Sequence, residues 1–497
     1  MLHLEKAFME KECSFGGKII ILGFGSIGTG VLPLILRHID IPKERVIVVT
    51  RSRRNAHIAE AFGVTCIAKK LTKENYFEEL DSILEDGDFL LNLSVEIESV
   101  SLMALCAKKN VLYLDACIEP WAGGYTDTNI PKADRTNYAL RKKAINLRDE
   151  LRKDPNIPRP TAVLAHGANP GLVSHFTKRA LLDIAGETGR GGGIPERQED
   201  WALLAEALGV RIIHIAERDT QVPLVPKRDG EFVNTWSVNG FIGEGLQPSE
   251  LGFGTHEKEL PRNGHRQEGK EAPFLYLDQP GIKTMVRSWV PLVGQQYGFL
   301  ITHDESISIT DYLSVKDADG STRYCPTVHY AYHPTDSTVL SALELHGRNG
   351  VPQETERVLT EQEIEGGVDE LGVLLIGDFG TDNTTGIKRN AYWYGSRLSL
   401  EEARSLVSHN GATTLQVTAG ILGAMIYAMK NPSLGIISAD DIPHEDVLGV
   451  AERYLGKVFG VFTDWTSLSL RITGDAALYS RDIDPSDHFQ FKNFLID

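Results

Sequence analysis

Through the first third of the chain, short apolar runs alternate with amphipathic stretches. Lys18–Leu22 (KIIIL), Arg45–Thr50 (RVIVVT), Val64–Ile67, Asp88–Leu93 (DFLLNL), Val111–Asp115 (VLYLD) and Thr161–Ala165 (TAVLA) read as strands. Most are continuous apolar runs rather than strict alternations, the pattern of a parallel sheet covered on both faces. Between them, apolar residues recur at helical spacing, as at Leu80, Ile83 and Leu84 or at Leu102, Met103 and Cys106. Strand–helix repetition of this kind predicts an α/β fold, an N-terminal Rossmann domain with a doubly wound parallel sheet, over residues 1–166. The texture then changes. Gly186–Arg197 (GETGRGGGIPER) is a glycine-rich loop, Glu199–Leu208 a helix and Val210–Ala216 a strand; 232–300 is dense in glycine and aromatics, and 297–333 reads as a run of strands. Residues 167–398 are therefore expected to form a second, α+β domain. From Ser399 helical patterns dominate, over Leu400–Val407, Thr413–Met429 and Glu445–Leu455. Thr413 or Thr414 is placed to cap the middle helix, and Pro432 lies just past its end. That helix is apolar on most faces and is expected to be buried.

The first apolar run leads into Gly23-Phe24-Gly25-Ser26-Ile27-Gly28, a GxGxxG placed between a strand and a helix. In that context the glycines have separate tasks. Gly23 makes the tight turn, Gly25 admits backbone to a pyrophosphate, and Gly28 lets helix and strand pack closely; the helix N-terminus then faces the phosphates. Ser26 and Ile27 complete this phosphate-binding set. An NAD site usually carries an acidic residue at the end of the second strand, whereas this chain has Thr50-Arg51-Ser52-Arg53-Arg54. Arginines there suit a 2′-phosphate as well as they suit a solvated loop, so the residues alone leave NAD and NADP open. Asn92 and Ser94 end the fourth strand and Asp115 the fifth, where ligands of open α/β sheets bind.

Composition narrows the class. The chain has 497 residues, 42% hydrophobic and 24% charged, with a formal charge of −17. That surface repels phosphate backbones, which sets nucleic-acid binding aside. No run approaches the ~20 apolar residues of a membrane span, and Glu5, Glu10 and Glu12 argue against a signal peptide. Five scattered cysteines without a CxxC pair suggest reduced thiols in a cytoplasmic protein. No metal-ligand spacing such as HExxH and no GxSxG elbow occurs, so neither a metal centre nor an acyl-transfer hydrolase is expected.

Unusual residues concentrate in Ile215–Gln221 (IAERDTQ), Val233–Gly240 (VNTWSVNG), Glu244–Pro248 (EGLQP) and Thr302–Ser306 (THDES), with Glu119-Pro120-Trp121 and Asn169-Pro170-Gly171. Carboxylates, an indole and a histidine beside a nicotinamide suit a charged amine. At these residues the sequence resembles the bacterial homospermidine synthases. The likeness runs through most of the chain, in GFGSIG, NLSVE, DACIEPW, GANPG, HIAERDTQ, NTWSV, EGLQP, QYGF, THDESISI, CPTVHYAYHP, DELGVLL and NAYWYGS. That family is similar to the saccharopine-type dehydrogenases. The resemblance implies a homodimer and a first domain completed by the later helical segment, 399–497. It also implies NAD as a bound prosthetic group. The expected reaction joins two putrescines into homospermidine and ammonia, or uses spermidine as aminobutyl donor with release of 1,3-diaminopropane. Carried over by motif, the site residues are Glu96, Glu119, Asn169, Glu217, Trp236, Glu244, His303 and Asp369. Glu217 and Glu244 would hold ammonium or iminium charge, Trp236 would steer a cationic intermediate, Asn169 and Glu119 would orient the reacting amine, and His303 would shuttle protons. Two rivals remain at this level. A saccharopine or carboxyspermidine-type dehydrogenase using stoichiometric NAD(P)H would need a cationic clamp, for which Arg218 is the lone obvious candidate. A non-catalytic NAD-binding regulator would need no Trp and carboxylate cluster.

Overall fold

A computed structural model describes residues 11–267, 272–471 and 482–496. Its first sheet has seven parallel strands, ordered Ile436–Ser438, Ala162–Leu164, Leu112–Asp115, Phe89–Asn92, Ile19–Leu22, Val46–Thr50 and Thr65–Ala68. Chain order reverses direction at Ile19–Leu22, so a crevice opens beyond Leu22 and Asn92. Ile19, Ile20, Ile21, Phe89, Leu90 and Leu91 are wholly buried, as expected of strands covered on both faces.

The second sheet is mixed and has eleven strands. Its centre sets Thr327–His333 parallel to Val210–Asp219, which pairs antiparallel with Val368–Gly377; Ala391–Ser399 and Lys457–Thr463 follow outward. Side-chain ties hold this domain to the first. Arg141, on helix Asn137–Lys153, pairs with Asp304 at 3.0 Å, and Glu250 accepts the Asn137 and Tyr138 N–H groups at 2.9 Å, capping that helix from the opposite domain.

The expected run of strands over 297–333 is interrupted. Asp304–Tyr312 is a helix, and residues 304–310 are all buried, so its environment imposes no one-sided apolar stripe and ISIT mimics a strand alternation. The last hundred residues also divide rather than form one helical segment. Helix Ala412–Lys430, strand Ile436–Ser438 and helix His444–Ala451 join the first domain; Lys457–Thr463 and Leu495–Ile496 enter the second sheet. Helix Ala412–Lys430 is long and apolar enough to cross a bilayer by length and composition, more so than the apolar runs suggested, yet it lies buried against the helix Ser26–His38. Close approach is made possible by small residues. A Cβ on Gly30 would stand 2.5 Å from Asn410 Oδ1, and one on Gly420 2.0 Å from the Gly167 carbonyl oxygen. The helix is not capped by Thr413 or Thr414. Its N-cap is Gly411, and the Thr413 hydroxyl is drawn away to donate to the buried Asp219 at 3.2 Å.

Candidate active site

The glycine loop has the shape a dinucleotide needs. Gly23 has φ +90°, and a Cβ there would stand 2.6 Å from the Leu93 carbonyl oxygen. A Cβ on Gly28 would meet the Gly23 oxygen at 2.7 Å, whereas one on Gly25 would meet nothing within 4 Å. Gly25 is exposed and caps helix Ser26–His38 without a side-chain bond, and the first turn holds no acidic residue. The open side at Gly25, with Ser26 and Ile27 behind it, therefore fits a pyrophosphate. Thr50 is buried at the second strand's end and Arg51 is exposed beside it. Arg53 is drawn onto Glu60 at 2.8 Å. Asn92 and Asp115 lie deeper than the sequence suggested. Asn92 Nδ2 donates to the Tyr113 hydroxyl and Asn92 Oδ1 accepts from Ser94; Asp115 accepts the Tyr113 hydroxyl at 2.8 Å and the Ala165 N–H at 2.6 Å. The Asp115 side chain is wholly buried, and these two bonds tie the ends of the strands together.

Opposite this loop, the two domains bring the amine-site candidates together. Strand alternation sends Glu217 and Asp219 to one face and Arg218 to the other, where its guanidinium lies 3.7 Å from Asp336. Asn169, in the loop leaving the first sheet, donates from Nδ2 to Glu217 Oε2 at 2.8 Å and to the Tyr330 hydroxyl. Tyr330 in turn donates to Glu217. Burial pushes the Glu217 carboxyl up to about 7, although these two donors pull it back. Asp369 faces Asp219 directly across the antiparallel pair. Asp219 takes bonds from Gln221, Thr235 and Thr413, and burial still lifts it to about 6. Asp369 is fully buried, and burial together with Glu217 and Asp219 raises its carboxyl well above the usual range. Among the described residues no lysine or arginine pairs with these three carboxyls.

A second group faces them. His303 donates from Nε2 to Glu244 and from Nδ1 to Glu305, both at 3.2 Å. Burial disfavours its charge, but the Glu305 and Glu244 carboxylates outweigh burial and raise its pKa well above the ordinary value, so it is an imidazolium. Trp236 is half-buried, edge-on to Phe241, and donates from Nε1 to the Tyr332 hydroxyl at 3.2 Å. From the first domain comes Glu119. Its Oε1 accepts from the Cys117 thiol and its Oε2 from the Glu96 backbone N–H; burial raises the carboxyl to about 8, with Glu244 adding to the rise. Glu96 lies beside Glu119: it adopts φ 65° with its side chain exposed, and its backbone N–H donates to Glu119.

Sequence reasoning missed Asp219, Tyr330, Tyr332 and Glu305. Each lay inside a quoted motif, and the period-two spacing of Glu217 with Asp219 and of Tyr330 with Tyr332 put each pair on one strand face.

A Rossmann crevice facing a mixed second sheet that carries carboxylates is the architecture of the saccharopine dehydrogenase class. Residues 19–156 match the saccharopine dehydrogenase NADP binding domain and residues 167–459 the saccharopine dehydrogenase C-terminal domain. Saccharopine dehydrogenase (L-Glu forming) from Saccharomyces cerevisiae has the same fold, with a TM-score of 0.52 over 90% of this chain and 100% of that one, at 11% identity. Within that class the chain belongs to the homospermidine synthase family. It is 46% identical to the homospermidine synthase of Mesorhizobium japonicum, over 97% of this chain and 96% of the relative. The figure is 47% for that of Blastochloris viridis, over 97% of both. A crystal structure of the Legionella pneumophila homospermidine synthase in complex with NAD superimposes with a TM-score of 0.87 at 41% identity, covering 97% of this chain and 98% of that one.

Proposed function

We propose that this chain converts two putrescines into homospermidine and ammonia, and accepts spermidine as an alternative aminobutyl donor. The observation that carries this is the buried carboxyl set at Glu217, Asp219 and Asp369, unpaired with any described lysine or arginine, beside an indole and the dinucleotide crevice. Gly23, Gly25, Ser26, Ile27 and Gly28 would hold the pyrophosphate of NAD, with Thr50 and Arg51 at the ribose end. When bound, NAD supplies a hydride acceptor at the carbon beside one amine and a hydride donor to the new imine, so the sum is not a redox reaction.

The residues of the chain do the rest. An amine must be neutral before its carbon can be oxidised or before it can attack, and the ionised form of Glu119, which grows as pH rises through about 8, is the acceptor of its proton. Asn169 fixes Glu217 and with it the amine's orientation. The far ammonium of the diamine settles against Glu217 and Asp369, while Glu244 and the Trp236 face hold charge on the iminium. His303 Nε2, which faces Glu244, carries a proton for departing ammonia, and Glu305 on Nδ1 keeps the ring charged. The site must also be dry, since water would hydrolyse the imine to an aldehyde. A dehydrogenase acting on a carboxylated amine would need a cation where Glu217 and Asp219 stand, and Arg218 points to the opposite sheet face. The enzyme works as a homodimer in the cytoplasm on this reading; the free thiols of Cys13, Cys66, Cys106, Cys117 and Cys325 accord with a reducing compartment.

Recycling of the cofactor is the direct test. Putrescine incubated with NAD at a small fraction of the substrate concentration should give homospermidine and equimolar ammonia over many turnovers, followed by mass spectrometry. NADH accumulating in step with product would instead mark a net oxidoreductase.

Binding should also move protons. At pH 7 Glu119 and Glu217 are partly protonated in the free protein, with carboxyls raised to about 8 and about 7. A dication entering among them favours their ionised forms, so protons leave. Calorimetry of putrescine binding in buffers of different ionisation enthalpy should show net proton release at pH 7 that fades towards pH 9; uptake, or no exchange, would contradict the arrangement.

A further inference from the structure

Tyr330 and Tyr332 project from one face of strand Thr327–His333 and stack with rings nearly parallel, at 5°, and centroids 5.2 Å apart. Both are buried. The Tyr332 hydroxyl takes the Trp236 indole N–H, while the Tyr330 hydroxyl lies between Glu217 and Asn169. The imidazolium of His303 lies over Tyr330, centroids 4.6 Å apart. The stack therefore joins the carboxylate end of the site to the indole end.

We propose that Tyr330 is a positioning residue for the transfer reaction, its hydroxyl being the donor that holds the Glu217 carboxylate fixed and in its charged form. This deepens the functional reading above and rests on it. The groups around Glu217 are Asp219 on its own strand, Asp369 on the neighbouring strand, Tyr330 and Tyr332 on the other neighbour, Asn169 from the loop below, and His303 at the start of its helix. Among the described residues only His303 brings positive charge to this group, and it is already shared between Glu244 and Glu305. Asp219 and Asp369 oppose ionisation of Glu217. Neutral donors must then favour the carboxylate, and the described residues supply Asn169 Nδ2 and the Tyr330 hydroxyl. Tyr330 also carries Asn169, which donates to both, so the phenol fixes the geometry of the pair.

A carboxylate that loses a donor titrates at higher pH, and activity that needs the carboxylate is lost as pH falls through that value. Tyr330→Phe keeps the stack and removes one hydroxyl. The Glu217 step in the acid limb of kcat/KM for putrescine, measured with the NAD-loaded enzyme and lying below the Glu119 step, should move up by about one pH unit, the equivalent of one hydrogen bond to a charged group. Tyr332→Phe, which loses the bond to Trp236 but none to Glu217, should leave that limb in place whatever it does to kcat. Should Tyr330→Phe fail to fold, 3-fluorotyrosine incorporated at position 330 preserves the ring and is a stronger donor; it should move the limb down. An acid limb unmoved by either substitution, with normal wild-type turnover, would overturn the role of Tyr330 alone. Wild-type enzyme that forms no homospermidine would overturn the functional reading instead.

Discussion

Glutamine at position 244 is expected to cut turnover of putrescine roughly ten- to 150-fold while melting temperature barely changes. The range corresponds to losing one carboxylate–ammonium hydrogen bond, about 1.5–3 kcal/mol. The structure explains why the loss falls on chemistry. Glu244 is on helix Val238–Leu246, half-buried, and the one hydrogen bond of its carboxylate among the described residues is to His303, which also has Glu305. Glu244→Gln preserves shape and packing but removes a charge from the path of the iminium and from the imidazolium that serves it. Trp236→Ala should cost about 30-fold, as a desolvated cation–π contact of ~2 kcal/mol would give. Trp236→Phe keeps a weaker ring and should retain part of the activity. Kinetics alongside thermal unfolding decides the matter. Normal turnover by both Trp236→Ala and Glu244→Gln, or a defect traceable to misfolding alone, would remove these residues from the site.

Gly420→Ala should damage the enzyme from a distance. The added Cβ would stand 2.0 Å from the Gly167 carbonyl oxygen, and the backbone it strikes is the loop whose next turn presents Asn169. Overpacking of this kind costs about 1–3 kcal/mol and forces backbone shifts. The expected result is a lower melting temperature with loss of activity beyond the folded fraction, because Asn169 no longer meets Glu217. Gly449→Ala is the control. That glycine lies in helix His444–Ala451, which packs on the same long helix, and a Cβ there meets nothing within 4 Å, so the change should be neutral or slightly stabilising. Equal effects from the two substitutions would show that helix propensity, not the Gly167 contact, governs the response.

What could be read from the residues alone follows the range of the forces involved. Ile19–Leu22, Val46–Thr50 and Phe89–Asn92 announce themselves because strands buried on both faces need nothing but apolar side chains. The glycine loop was equally plain, since strand, glycines and helix are contiguous. Helix Asp304–Tyr312 was hidden because burial on all sides removes the stripe that betrays a surface helix, and Thr413 looked like a cap until Asp219, distant in sequence, claimed its hydroxyl. The site divides in the same way. Glu217, Glu244, Trp236 and His303 stand out by chemistry within motifs, whereas the work of Tyr330 depends on neighbours from three separate segments. Asp115 shows the converse: its place at a strand end is plain in the sequence, whereas its bonds to the Ala165 N–H and the Tyr113 hydroxyl depend on residues of the folded chain.

The edge strand Ile436–Ser438, which pairs with Ala162–Leu164, bears on how the molecule is made. A ribosome adding about 5–20 residues per second spends tens of seconds between those two strands. Throughout that interval the nascent first domain has six strands, an uncovered edge beside Ala162–Leu164 and an exposed flank on helix Ser26–His38 where Ala412–Lys430 will later lie. Synthesis of the second domain thus proceeds with the first one unsealed, and the cofactor fold closes only when the chain is almost finished. A stop codon anywhere before residue 412 would therefore release a Rossmann half with its interior open to water, a natural client for chaperones and proteases, rather than an independent nucleotide-binding protein.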